Sequence, residues 1–261
     1  MIALTPLDLA LAAILVVLLA GLTILLHLGL WKQIVIAGLR TTVQLFLIGF
    51  VLKWIFRSDF LFITALALVM LLAAGREAVL RQKRRFVGIW GFSFGALAMF
   101  LSSFTITFLA LVFVIHNEPW YLPQYAIPIL GMMLGNTMNG IALGLDRLTT
   151  TAWQGRAVIE GRLMLGQTWS QAIGDIRKDS IRSALIPIIN AMSIAGLVSL
   201  PGMMTGQILA GNPPLEAVKY QILIMFMIAS GTGFGSLAAV YLASRRLFDE
   251  RGRLRLDRLR G

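Results

Sequence analysis

Seven predominantly apolar runs divide this chain: Leu7–Leu28, Ile34–Leu52, Phe60–Ala74, Phe92–Ile115, Ala126–Leu145, Ala184–Gln207 and Ala217–Ala243. A helix needs roughly 20 such residues to cross a bilayer. Inside lipid each backbone N–H and C=O must be paired within the protein, which restricts such runs to helices. The expected fold is therefore all-α, a polytopic transmembrane helix bundle of about seven spans. The third run is short, and a helical continuation through the basic residues after it is open. The stretch from Phe86 to Ile115 is too long for one untilted span, so its start is expected in the interface around Trp90. Only 13% of the 261 residues are charged, against about 25% in soluble domains.

The basic residues give the orientation, because loops on the cytoplasmic side carry the excess of Lys and Arg. With the N-terminus outside, the inner loops and tail hold 19 Lys or Arg residues and the outer loops hold 3, namely Lys53, Arg57 and Lys219. This asymmetry predicts N-out and C-in. It also accounts for the net charge of +11 without nucleic acid, since the charges sit between apolar spans and form no binding stripe. Met1–Ala10 lacks Lys and Arg, so no cleavable signal peptide is expected. The segment His116–Tyr125 also lacks them and ends in aromatics, as suits an outer interfacial belt. The basic tail from Arg245 is expected to be a helix end on the inner leaflet, where contact with anionic membrane lipid is open. The chain has no cysteine, which excludes disulfides and thiolate metal sites.

The most informative stretch runs from Glu160 to Gly211. Its first part, Glu160–Ser183, carries too many charges to enter a membrane. Its second part, Ala184–Gly211, is apolar but interrupted by Pro187, Pro201-Gly202 and four glycines. A helix break at Pro201 and Gly202 is expected. Within the polar part, Thr168 and Gln171 have the spacing of a capping box. Trp169, Ala172, Ile173 and Ile176 then share one face of a short helix.

Several intramembrane residues are candidates for a translocation pathway. Arg40 lies ~12 Å into the second run, counted at ~1.5 Å per residue from Lys32. A charge at that depth should face protein or water, and Gln44 is one turn further on the same face. Arg40 can attract an anionic group in a pathway, or it can tie helix-end carbonyls together. Asn136, Asn139 and Asn190 can line a cavity or bond between helices. Gly131, Gly135, Gly140 and Gly144 have the spacing that lets helices approach closely. The methionines Met132, Met133, Met138, Met192, Met203 and Met204 read as gap-fillers, because thioethers suit cuprous ion better than iron. His27 and His116 fall at span ends, on opposite sides of the membrane. No metal site is expected. Asp175 and Asp179, with Arg interspersed, read as a solvated face.

The glycine run Gly231–Gly235 lies inside an apolar span with no strand before it, so it is not a nucleotide loop. With no phosphate-binding loop motif present, no ATP or Mg is expected on this chain, and it is not expected to be an enzyme.

The string KDSIRSALIPIINAMSIAGLVSLPGMMTGQILAG (Lys178–Gly211), continuing to PPLEAVKYQI (Pro213–Ile222), resembles the FetB-type permeases, membrane subunits of bacterial ABC transporters assigned to iron export. IPILGMMLGNTMNG (Ile127–Gly140) and RTTVQLFLIGFVLKWIF (Arg40–Phe56) fit the same family. The resemblance implies a single permease domain over residues 1–261 with a cytosolic coupling loop at 146–183, in a bacterial inner membrane. It implies a homodimer of the permease, a separate cytosolic ATPase subunit carrying ATP and Mg, and outward transport of iron or an iron chelate. Plant permeases linked to aluminium tolerance also resemble this family, so another metal or an organic cargo such as a nucleotide sugar is the alternative. Residues 160–176 are similar to the loop by which importer permeases seat on their ATPase. Glu160, Leu165, Gly166, Thr168, Gln171, Ala172 and Ile176 stand at its spacing. Gly161 and Arg162 replace two alanines, and Lys178-Asp179 replaces a Leu-Pro exit. On this reading Trp169, Ile173 and Ile176 form an apolar docking face, Gly166 permits the turn, and Glu160 pairs with the ATPase or braces against Arg162.

Two rival classes are weaker. An ion-coupled secondary transporter should carry intramembrane carboxylates or His relays, and none is apparent in the runs. A membrane-embedded enzyme should show a catalytic pair, and only the exposed Asp175/Asp179 spacing offers one.

Overall fold

A computed structural model describes residues 5–55 and 60–260, with the side chains of 52–55 left aside. Phe56, Arg57 and the Lys53 side chain, used above in the resemblance and the charge count, lie outside the described residues. The chain divides into two compact units, Met1–Ser58 and Asp59–Gly261.

The first unit is a pair of helices, α1 (Pro6–Leu25) and α2 (Trp31–Ile55). Thr5 caps α1 in a reciprocal capping box with Asp8, its backbone N–H donating to Asp8 Oδ2 at 2.8 Å. Both helices are apolar enough to cross a membrane. Within the chain they bury little: Ala20 and Thr23 are the buried residues of α1, and no residue of the Trp31–Val51 window is buried.

The second unit begins with α3 (Phe60–Leu80), a two-residue strand β1 (Arg85–Phe86) and α4 (Trp90–Met99). The helical path then continues through a π-helical turn (Phe100–Phe104), α5 (Thr105–Leu109) and a second π turn (Ala110–Ile115). Next come α6 (Pro123–Gln154), α7 (Arg156–Met164), α8 (Trp169–Ala172), α9 (Gly174–Ile194), α10 (Gly202–Leu209), α11 (Pro214–Arg246) and β2 (Leu259–Arg260). Trp120 and Tyr121 of the aromatic segment close edge-on against Phe60, with centroids 5.8 and 5.1 Å away.

The centre of this unit is α6, whose neighbours are α3, α9 and α11. Small residues explain how tightly it is held. A Cβ on Gly140 would stand 2.6 Å from Thr232 Cγ2 and 2.8 Å from Ser236 Oγ. A Cβ on Gly144 would meet Val240 at 2.9 Å and Ala184 at 3.2 Å. From the other side, a Cβ on Gly235 would stand 2.6 Å from Thr137 Cγ2. The run Gly231–Gly235 therefore serves helix packing. Gly131 meets Met70 of α3, whereas Gly135 has nothing within contact distance. Gly140 lies against Ala184 and Gly144 against Ser180, so α6 and α9 run antiparallel.

Three expectations are corrected. Among the described residues six helices are long and apolar enough to span a membrane, and the expected run Ala184–Gln207 is not among them. It is shared between the second half of α9 and the short α10. The chain leaves α9 at Ala195, turns through Gly196 at φ 82°, and re-enters helix after the N-cap Pro201. The break thus falls at 195–201, while Pro187 stays inside α9. Second, the third run continues as helix to Leu80 but not through the basic residues, which turn into β1. Within residues 146–183, α6 extends to Gln154 and α9 begins at Gly174. Helix propagation needs no apolar surroundings, so both helices run past the point where hydropathy ends.

The third correction is the tail. After α11 it turns back, and β2 pairs antiparallel with β1. Asp249 organises the turn by accepting from the Arg251 and Arg253 backbone N–H groups at 2.9 and 2.8 Å. The Arg253 backbone bond, first among several, holds the Asp249 carboxyl below the usual carboxylate range.

Candidate functional site: the polar loop and the open face of α6

The polar loop is folded firmly onto the second unit. Gly166, at φ 85°, makes the turn after α7. Thr168 then caps α8 as its spacing predicted: its backbone N–H donates to Gln171 Oε1 at 2.9 Å, and the Gln171 N–H returns to Thr168 Oγ1 at 3.4 Å. Arg162 crosses back to the following helix, donating from Nη1 to Ala172 O at 3.1 Å and from Nη2 to Asp175 Oδ2 at 2.9 Å. Glu160 pairs with Arg156 one turn earlier at 2.9 Å. The expected brace between Glu160 and Arg162 is thus replaced by Arg156–Glu160 and Arg162–Asp175.

The apolar side of this loop faces its own bundle. Ala172 and Ile173 are fully buried, and Trp169 and Ile176 pack against the same core. The Trp169 ring meets Tyr241 at 6.2 Å and Phe248 at 6.0 Å, with the Arg245 guanidinium 5.1 Å above it. The expectation of an exposed stripe at Trp169, Ile173 and Ile176 is corrected accordingly. The three side chains do share one side of the loop, but periodicity does not say which surface the stripe meets. The apolar side chains that remain outside are Met164 and Leu165, 87% and 85% exposed, at the turn before α8. Beside the α8–α9 junction lies a polar cleft of about 500 Å³, lined by Arg162, Gln167, Ser170, Gln171, Asp175 and Lys178 among others.

The pathway candidates divide between the two units. Arg40 and Gln44 are exposed on α2 of the first. In the second, Asn136 and Asn139 are exposed on α6 and Asn190 on α9. Asn136 and Asn190 stand at comparable depths, ~6 and ~9 Å beyond the Gly140–Ala184 contact at 1.5 Å per residue. Asn136 donates to its own helix at Met132 O, 2.8 Å away. Asn139 instead accepts from Arg81 Nη1 at 2.5 Å.

That last bond brings in two residues that sequence reading missed. Glu77 lies inside α3, within the span-length helix Phe60–Leu80, and its carboxylate is 3.9 Å from Arg81 Nε. Glu77 lies beyond Ala74, where the apolar run ends, and Arg81 stands among several basic residues whose directions the sequence does not distinguish. The i,i+4 spacing of Glu77 and Arg81 was the available signal.

At the far end of α6 a cavity of about 660 Å³ opens among Met132, Met203, Gln207, Tyr220 and their neighbours. Gln207 Oε1 is buried without a partner among the described residues. Among those residues no group of three or more His, Cys, Asp or Glu converges as a metal site.

Comparison with known proteins covers nearly the whole chain. It is 38% identical over 231 residues to "UPF0014 membrane protein slr1647" of Synechocystis sp., covering 87% of each chain. It is 35% identical over 258 residues to "Probable iron export permease protein FetB" of Escherichia coli, covering 97% of this chain and 96% of that one. It is 34% identical over 233 residues to "Protein ALUMINUM SENSITIVE 3" of Arabidopsis thaliana, covering 88% and 83%. No solved structure matches. The family described as "Uncharacterised protein family (UPF0014)" matches residues 6–248. With six span-length apolar helices among the described residues and membrane-protein relatives along its length, this chain is a multi-pass membrane protein and belongs to the UPF0014 family.

Proposed function

We propose that this chain is the membrane permease subunit of an ABC transporter that exports iron or an iron chelate. ATP and Mg act on a separate cytosolic ATPase subunit, and two copies of the chain form the membrane part in a bacterial inner membrane, oriented N-out and C-in. The name of the Escherichia coli relative supports the transport role and the cargo. The observation that carries the reading is the continuity of α9. One helix runs from the polar loop at Gly174 past Pro187 to Ile194, so a push on the loop is carried along a single helix to the break at 195–201.

The docking surface follows from exposure. Two large apolar side chains side by side on a polar loop call for a covering partner, and these are Met164 and Leu165. The neighbouring cleft supplies hydrogen-bond donors and acceptors at its rim. Trp169, Ile173 and Ile176 then act as the seat that keeps the loop rigid, and Glu160 and Gly166 shape its approach.

Co-purification with a co-expressed ATPase encoded beside this reading frame tests the proposal. The wild-type chain should retain the ATPase and stimulate its hydrolysis. The double substitution Met164→Asp and Leu165→Asp should release it while leaving the bundle folded. Retention at wild-type levels by the double variant would overturn the assigned surface, and absence of any ATPase association would overturn the transporter reading itself.

A further inference from the structure

The basic run after α3 is pinned along the end of α6. Lys83 N–H donates to Asp146 Oδ1 at 2.7 Å, Thr149 Oγ1 donates to Arg84 O at 3.0 Å, and the Arg84 guanidinium covers the Trp153 ring at 3.9 Å. Arg81 departs from this rim. It reaches Asn139, seven residues before Asp146 on α6 and so ~10 Å nearer the middle of the helix at 1.5 Å per residue. A long cationic side chain near the end of a span ordinarily extends toward water. Arg81 extends the other way, along the exposed face of α6.

The donors there outnumber the acceptors. A guanidinium has five N–H donors and a carboxamide two. Asn139 Oδ1 accepts one, and Glu77 at 3.9 Å is beyond hydrogen-bond length. No other acceptor among the described residues reaches Arg81. A planar fork of donors matches the oxygens of a carboxylate or phosphate. A bare cation is disfavoured, because the guanidinium repels it and Glu77 is a single carboxylate. Glu77 offsets part of the guanidinium's charge through space, which suits reversible binding.

We propose that Arg81 and Asn139 form an oxyanion site on the open face of α3 and α6, taking a carboxylate or phosphate oxygen. The oxyanion can belong to the cargo, which rests on the permease reading above and makes that cargo an anionic complex, or to the headgroup of an anionic lipid.

The test uses the full chain in nanodiscs of phosphatidylcholine alone, titrated with citrate and with inorganic phosphate, and in discs doped with phosphatidylglycerol. Wild type should bind a soluble probe saturably, retain phosphatidylglycerol, or do both. Soluble-probe binding unaffected by phosphatidylglycerol assigns the site to cargo, and competition assigns it to the headgroup. Arg81→Gln should weaken binding about tenfold or more, as expected for a charged hydrogen bond. Arg81→Lys should lie between, and Arg84→Gln on the rim should match wild type. Should Arg81→Gln fail to fold, Arg81→Lys and Asn139→Leu give the readout. Equal affinity in the folded Arg81 and Asn139 variants, or a wild type that takes neither probe nor lipid, overturns the proposal. Binding here needs no ATPase, so its failure leaves the transporter reading standing, and the reverse also holds.

Discussion

Phe86 stands directly opposite Leu259 in the β1–β2 ribbon, so the last residues of the chain are fastened to the segment that follows α3. Both side chains are buried, and Val87 N–H donates to Arg258 O at 2.8 Å beside them. The Arg258 guanidinium donates to Arg246 O at 2.7 Å and Phe248 O at 3.2 Å. Helix ends leave carbonyls unpaired, and here the returning tail satisfies one at the end of α11 and one just beyond it.

Leu259→Asp should release this ribbon. A buried charge without a partner costs several kcal/mol, which exceeds what a two-residue ribbon supplies. Limited trypsin digestion should then cut rapidly at Arg251, Arg253 and Arg255 while the span helices stay intact. Wild-type protection of these sites would contradict the clamp.

The tail turn should resist mild acid. The carboxyl of Asp249 is held below its ordinary value of 3.8, so its contribution is present above that value and is lost only as pH falls through the lower, folded-state value. Hydrogen exchange at Arg251 and Arg253 should stay slow from neutral pH down to the ordinary carboxylate range, after correction for intrinsic rates. Opening of the turn already at mildly acidic pH would be inconsistent with this.

Gly140→Val should disrupt the α6–α11 contact. The added atoms would fall within 2.8 Å of both Thr232 and Ser236, and overpacking of this kind costs about 1–3 kcal/mol. Thermal unfolding in detergent should shift downward for Gly140→Val and stay near wild type for Gly135→Ala, whose Cβ meets nothing.

Ile173→Asp should damage the fold of the second unit itself, since Ile173 is fully buried and an unpaired buried charge costs about 3–5 kcal/mol. The exposed neighbour Gln171 can be replaced by Glu with little loss of stability, since its oxygen still accepts from Thr168. Size-exclusion profiles and thermal unfolding separate the two. A normally folded Ile173→Asp protein would return this side chain to the role of an exposed docking contact.

Features set by a few neighbouring residues were legible in the sequence. Apolar runs named the helices because the bilayer leaves no other backbone structure. Thr168 and Gln171 announced their capping box because both halves of that motif lie within one turn. Pro201-Gly202 marked the break because proline and glycine act on their own backbone, although the helix gives way six residues before Pro201, at Ala195. What depended on distant partners was not legible. Arg81 finds Asn139 across 58 residues, and the tail finds β1 across a longer stretch still. The stripe at Trp169, Ile173 and Ile176 was plain in the periodicity, yet whether it met a partner protein or its own bundle was a tertiary decision. It turned inward because Tyr241 on α11 and Phe248 just beyond it are within reach, and burying the stripe there removes its apolar surface from water.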